Sequence, residues 1–297
     1  MRTSTLRRMG TGAAAAALLS VAACSGGGGD AGTAEKPAGD KVKTASVAAL
    51  QQIRTKTGTV RSARIEGTTE MGDTVSMKQT GTIGWADGLT GSLTLTYTGG
   101  TMAKALKQGG DGSVRARYLQ DEYYADMGEA FAATIGGKRW VRYAYKDLAE
   151  LGGPAGDVLE EQARNSTPEQ GVKALLAAGD VRKAGQEDVR GVPATRYSGT
   201  VDVAELTGRN SALDAGQLAA LKEQLSAAGV TTQTVDIWVG EDDLLLKKTE
   251  RGETAAGAFS STVFYSDYGT EVSVEKPPAA DTVDFREILR QRAAGPS

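Results

Sequence analysis

Apolar and polar residues alternate in twos along most of this chain, and no other feature narrows the fold as much. Leu93, Leu95 and Tyr97 stand against Thr94, Thr96 and Thr98, and Val114, Ala116 and Tyr118 then stand against Arg115 and Arg117. A period of two places each set on its own face of a strand, so these strands are wet on one side. The same pattern predicts strands over Val75 to Trp85, Tyr123 to Met127, Arg139 to Tyr143, Thr195 to Val203, Thr234 to Val239, Leu244 to Thr249 and Ser261 to Tyr268. Short turn signals stand between them: Asp87-Gly88, Gln120-Asp121, Gly136-Gly137, Arg190-Gly191 and Glu241-Asp242. These are too brief for crossover helices, which makes the sheet antiparallel. About ten such strands predict an α+β fold, a curled sheet or incomplete barrel rather than helices packed about a parallel core.

A few helices interrupt the strands. Val47, Leu50 and Ile53 form a short apolar stripe. Thr167-Pro168-Glu169-Gln170 supplies an N-cap, a first-turn proline and a capping-box glutamine, after which Val172, Leu175 and Leu176 face inward until Gly179. Asp214 to Gln217 opens another helix, with Leu218, Leu221 and Leu225 on one face and Gly229 as its stop. The large apolar surface on which these stripes can pack is the concave side of the sheet, so the helices are expected inside the curl. A two-fold echo also runs through the chain. A strand-rich half containing RWVRYAYKDLAEL is followed by helices and then by a second strand-rich half opening with GVPATRYSGTVDVAEL.

The first 23 residues read as an export signal: Arg2, Arg7 and Arg8, then an apolar run from Ala13 to Ala23. The run is too short to stay across a bilayer. Val21-Ala22-Ala23-Cys24 fits the lipobox, in which small residues precede a cysteine that takes diacylglyceryl, and it resembles lipoprotein precursors. Arg7-Arg8 leaves export by the general or the twin-arginine route open. Residues 24–41, with SGGGGDAGTAEKPAGDK after the cysteine, bury too little apolar surface to order and read as a tether. The expected place is therefore the extracytoplasmic face of the cell membrane, held by lipid. Multiple acyl chains make such an anchor effectively permanent.

Composition removes much chemistry. There is no histidine and one cysteine, so imidazole-based triads, histidine-ligated metals and internal disulfides are all excluded. The formal charge of -3 becomes -6 once Arg2, Arg7 and Arg8 leave with the signal, which argues against nucleic acid as a partner. No Gly-rich phosphate loop, EF-hand spacing or G-x-S-x-G occurs, and no cofactor, metal site or catalytic residue is expected. Asp121-Glu122 and Glu241-Asp242-Asp243 fall on predicted hairpin turns and read as solvated turn charges; Arg115 and Arg117 read as an outward polar face.

GVPATRYSGTVDVAEL, VDIWVGEDDLLLKK and STVFYSDYG resemble actinobacterial lipoproteins of the LppX/LprG type, distant relatives of the LolA and LolB carriers, over about residues 42–285. The resemblance implies a half-open antiparallel barrel wrapped over helices, with an apolar cavity between them that takes acylated lipid or glycolipid. It implies a carrier rather than an enzyme, with a membrane exporter or envelope protein as a further partner. From the apolar faces, the cavity candidates are Leu93, Leu95, Tyr97, Tyr118, Tyr123, Trp140, Tyr197, Ile237, Leu244, Leu246, Val263 and Tyr265, although for any one of them an ordinary filled core is the favoured reading, since every half-buried sheet shows such alternation. Small inner positions, Gly81, Ala116, Ala125 and Gly199, leave room either for acyl chains or for close helices. An anchored interaction or sensor module with a filled core is the other reading. The tail 286–297 reads either as a short docked helix around Ile288 and Leu289 or as loose chain.

Overall fold

A computed structural model describes residues 38–86, 88–108, 110–147, 167–178, 180–206, 213–227, 229–254 and 257–293. The export signal, Cys24 and the stretch 25–37 lie outside the described residues, as do Asp87 and Gly179.

Twelve strands form one curled, unclosed sheet. In chain order the elements are α1 (Ala38–Thr59), β1 (Ser62–Met71), β2 (Val75–Gly84), β3 (Thr90–Gly99), α2 (Gly100–Lys107), β4 (Ser113–Tyr118), β5 (Glu122–Asp126), α3 (Glu129–Ala132) and β6 (Trp140–Ala144). They continue with α4 (Pro168–Ala177), β7 (Arg182–Val189), β8 (Val192–Asp202), α5 (Ala215–Ala227), β9 (Thr232–Val239), β10 (Leu245–Thr254), β11 (Gly257–Ser266), β12 (Thr282–Asp284) and α6 (Phe285–Ala293). The strand order is β12-β6-β5-β4-β3-β2-β1-β11-β10-β9-β8-β7. Two strand-rich halves therefore meet along the β1–β11 pairing, Arg64 opposite Ser266 to Met71 opposite Phe259, which gives the two-fold echo its structural form.

Every pairing is antiparallel except one. β12 runs parallel to β6, with Val283 opposite Val141, because the chain after β11 crosses to the far edge before pairing again. That crossing straps the convex face: Thr270 O accepts from Ser62 Oγ, Glu275 O from Arg117 at 2.9 Å, and Asp281 Oδ1 from the Arg139 amide at 2.9 Å. Three strands are absent from the alternation pattern. β1 carries Gly67 and Thr69 at inward positions, β7 is exposed and polar nearly throughout, and β12 has three residues.

Three helices, α1, α4 and α5, lie inside the curl. Leu50 and Ile53 of α1, Val172, Leu175 and Leu176 of α4, and Leu218, Leu221 and Leu225 of α5 share one core with Ile65, Ile83, Val201, Val235, Ile237, Leu245 and Val263 of the sheet. α1 begins at Ala38, inside the stretch read as tether. Asp214 Oδ1 accepts from the Gln217 amide at 2.9 Å, and Gly229 takes φ +68° while the Val230 amide bonds Leu225 O at 2.8 Å, so α5 has both stops that its sequence predicts. α4 has its first-turn Pro168, but Thr167 makes no side-chain capping bond. In the tail, α6 buries Ile288 against Val141 and Val283, with Phe285 and Tyr143 beside them.

Candidate functional site

Register decides which side chains share the concave face, because directly paired residues in a ladder point the same way. One row runs Tyr197, Ile237, Lys248, Val263, Gly67, Gln79, Leu95, Val114 across β8 to β4. A second joins Tyr265, Ile65, Gly81, Leu93, Ala116, Ala125 and Val141. Nine of the twelve candidates fall on this face: Leu93, Leu95, Tyr97, Tyr118, Tyr123, Tyr197, Ile237, Val263 and Tyr265. Leu93, Ile237, Val263 and Tyr265 are buried in the helix-covered core, with Leu95, Tyr118 and Tyr197 partly buried against it.

Three candidates lie elsewhere. Trp140 pairs with Asp126, which pairs with Arg115, so its ring is on the convex face, where the Arg117 guanidinium sits 4.8 Å from its centroid. Leu246 is displaced by a bulge between Leu245 and Lys247 and packs with Trp238 and Phe264 on the convex side. Leu244 precedes the strand; it is buried at the turn, where its amide donates to Asp242 Oδ1 at 3.2 Å.

The same bulge brings in a residue that alternation misses. After it, Lys248 rather than Lys247 faces inward, only 1% exposed between Ile237 and Val263, and its ammonium lies 3.0 Å from Glu250. Gly171 of α4 lies on the lysine stem: a Cβ there would stand 2.6 Å from Lys248 Cδ. Gly199 does the same from the sheet side, where a Cβ would meet Ala178 Cβ at 2.8 Å and Leu175 Cδ2 at 3.1 Å. Gly199 thus admits a close helix. Gly81, at φ +154°, has Ser92 O where its Cβ would go, so it serves strand packing. Toward the same part of the sheet the floor is polar, with Thr69, Gln79 and Gln233 buried and Thr69 Oγ1 3.3 Å from Ser261 Oγ.

Beyond α1, α4 and α5 the concave face becomes aromatic. Tyr123 stacks on Tyr143 at 4.6 Å and 6°, on Tyr118 at 5.8 Å and on Tyr145 at 6.2 Å, and Tyr143 meets Phe285 at 4.9 Å. All five rings are partly exposed. Burial, and then the neighbouring Tyr97, pushes the Tyr118 phenol up to about 12; burial and then Tyr143 raise Tyr123 further still. The row follows one rim of the curl, since Tyr118 ends β4, Tyr123 is near the start of β5 and Phe285 follows β12. Trp85 and Tyr268 continue that rim, edge to face at 6.4 Å. On it a half-open concavity of about 210 Å³ is lined by Arg61, Ser62, Thr90, Gln120, Thr270 and Val272 among others.

The acidic candidates separate. Glu241, Asp242 and Asp243 are exposed turn residues. Glu122 is not: it is 5% exposed on the convex side and accepts from Arg142 Nε at 2.5 Å, Tyr124 Oη at 2.9 Å and Lys276 Nζ at 2.6 Å. Desolvation alone would raise its pKa, but the bonds from Lys276, Arg142 and Tyr124 prevail and hold the carboxyl at about 2. Asp126, also buried, receives Arg115 and, at 3.1 Å, Arg139. Each of these two carboxylates is thus held among cations, an arrangement that braces neighbouring strands. Among the described residues no three acidic, cysteine or histidine side chains converge on a metal position, and no helix is long and apolar enough to cross a membrane.

No family model matches the chain. It is 71% identical over 255 residues to an uncharacterised 31.2 kDa protein of Streptomyces griseus, covering 86% of this chain and 84% of that one. It is 46% identical over 249 residues to a Streptomyces coelicolor protein named a putative lipoprotein, covering 84% of this chain and 78% of that one. Among solved structures it is similar to the Mycobacterium tuberculosis lipoprotein LppX, at 12% identity and a TM-score of 0.48, over 78% of this chain and 99% of that chain.

Proposed function

Because the chain belongs to the family of these two Streptomyces proteins, we propose that it is a lipoprotein of the cell membrane, acylated at Cys24, which holds an acylated lipid or glycolipid against the tyrosine half of its concave face. The observation that carries this reading is the partly exposed row Tyr118, Tyr123, Tyr143, Tyr145 and Phe285, an aromatic wall that continues the apolar interior past the edge of α1, α4 and α5. Stacked phenols offer flat apolar surface with hydroxyls at the margin, which suits a ligand with hydrocarbon and polar parts. The naming of the Streptomyces coelicolor relative as a putative lipoprotein and the Val21-Ala22-Ala23-Cys24 lipobox support the anchor.

Mass spectrometry of organic extracts from the protein purified without acylation is the test. A co-purified lipid in near-stoichiometric amount, displaceable by an apolar dye, is the expected result. Empty protein with no dye site, whatever the expression host, would remove the carrier reading.

The packed core beneath α1, α4 and α5 favours a second reading, an anchored interaction or sensor module with no lipid cargo. Crosslinking in the envelope separates the two, since this reading requires a stoichiometric protein partner and the carrier does not.

A further inference from the structure

Methionine is distributed unevenly. Met1 and Met9 precede Cys24, and the other four lie toward the end of the sheet opposite the tyrosines: Met71 ends β1, Met77 is buried near the start of β2, Met102 stands exposed in α2, and Met127 follows β5 and packs beside Val141. Phe259, near the start of β11, is at the same rim and partly exposed. Methionine is the most adaptable of the apolar side chains and suits a surface that meets fluid or variable partners. Met102 is 42% exposed, on a short helix whose other outward positions include Lys104 and Lys107. From Gly88 to Gly110 the chain contains no acidic residue.

The direction of α1 matters here. Its C-terminal end leads to Arg61, whose carbonyl accepts from the Trp85 amide at the tyrosine rim. Twenty-two residues of helix measure about 33 Å, so the chain enters the domain at Ala38 far from that rim. Residues 25–37, read above as a tether, link Cys24 to Ala38 in sequence.

We propose that the methionine rim, led by α2, rests in the headgroup layer of the bilayer that holds Cys24, with Met102 dipping toward the acyl chains and Lys104 and Lys107 reaching anionic phosphates. This inference rests on the anchored reading above. An apolar tip flanked by lysines is the pattern of an interfacial contact, since the lysine stems lie along apolar surface while their ammonium groups stay with the phosphates. The tether multiplies a weak contact by keeping the surface close, so a few apolar atoms and two cations suffice.

The test uses full-length acylated protein in vesicles of phosphatidylglycerol and phosphatidylethanolamine containing quencher-bearing lipid. Met102→Cys receives a fluorophore, Cys24 being blocked by its acyl group, and Gln120→Cys at the tyrosine rim is the comparison. The expected result is strong quenching at 102 and little at 120, with the docking equilibrium at 102 weakened about fivefold for each of Lys104→Gln and Lys107→Gln. Equal or reversed quenching overturns the docking surface. So does a label at 102 that is shielded from water yet unquenched, which would mean that protein, another copy or a partner, covers the rim. If mass spectrometry finds no acyl group on Cys24, the anchored reading itself fails and takes this one with it; acylated protein without quenching sinks the docking alone.

Discussion

The concave face has two unlike halves. Under β7 to β11 and β1 it is filled: α1 and α4 press Leu50, Ile53, Leu175 and Leu176 into Ile65, Val235 and Ile237, all of them essentially without solvent contact. Under β4 to β6 it is lined by phenol rings that stack on one another and remain partly exposed. The same sheet therefore carries two surfaces, one closed over by helices and one lined by rings that keep some exposure. Glycine marks the difference. Gly171 and Gly199 bring α4 to within a methyl group of the sheet in the filled half. No comparable pair underlies the tyrosines among the described residues.

The sharpest way to break this contrast is a cavity in the filled half. Leu175→Ala should lower unfolding free energy by about 2–5 kcal/mol in urea titrations, because the rigid α4 interface cannot collapse onto the void. The folded fraction should bind an apolar dye as tightly as the parent. Weaker binding by the folded variant would mean that ligand enters between helix and sheet after all. Gly199→Ala tests the same half by overpacking. Its Cβ would stand 2.8 Å from Ala178 Cβ, and a loss of about 1–3 kcal/mol is expected. A neutral result would show α4 free to lift.

In the other half the order of effects should invert. Tyr123→Ala removes the central ring of the row; about 2 kcal/mol of stability should go with the lost stacking, while dye or lipid binding falls several-fold. Isothermal titration beside a denaturation curve measures both. A variant that loses stability but keeps full binding would return the tyrosines to an ordinary structural role.

Much of this was legible in the sequence where a strand has one wet and one dry face. Leu93, Leu95 and Tyr97 announce their side plainly, and so do the leucines of α5. Legibility fails where that contrast fails. β7 is an edge strand with almost no dry side, and β12 is too short to show a period. Trp140 and Val141 are both apolar, and the strap over the convex face buries the tryptophan, so either phase of RWVRY reads as inward. In DDLLLKK the bulge exchanges faces midway, turning Leu246 out and Lys248 in, and no local pattern in three leucines and two lysines fixes where the extra residue falls. Glu122 was misplaced for a different reason: its cations come from Arg142 and Lys276, far along the chain, and make a buried strand position of what resembles a turn charge.

The smallest effect is the most specific to the tyrosine half. A phenol whose folded pKa lies above its ordinary value of 10 is better kept neutral by the native state than by the unfolded chain. Its contribution is complete below pH 10 and drains away as pH rises toward the folded value, about 12 for Tyr118. Stability should therefore decline through that window, and Tyr118→Phe, which cannot ionise, should flatten the decline without abolishing it, because Tyr123 is held neutral by burial and by its phenolic neighbours as well. Phenolate absorbance followed alongside unfolding would separate the two. If bound lipid seals the row, phenolate formation should move to still higher pH in loaded protein than in empty protein. The phenols of the filled half, such as Tyr265, already buried, should not respond. An equal response from both halves would dissolve the distinction between them.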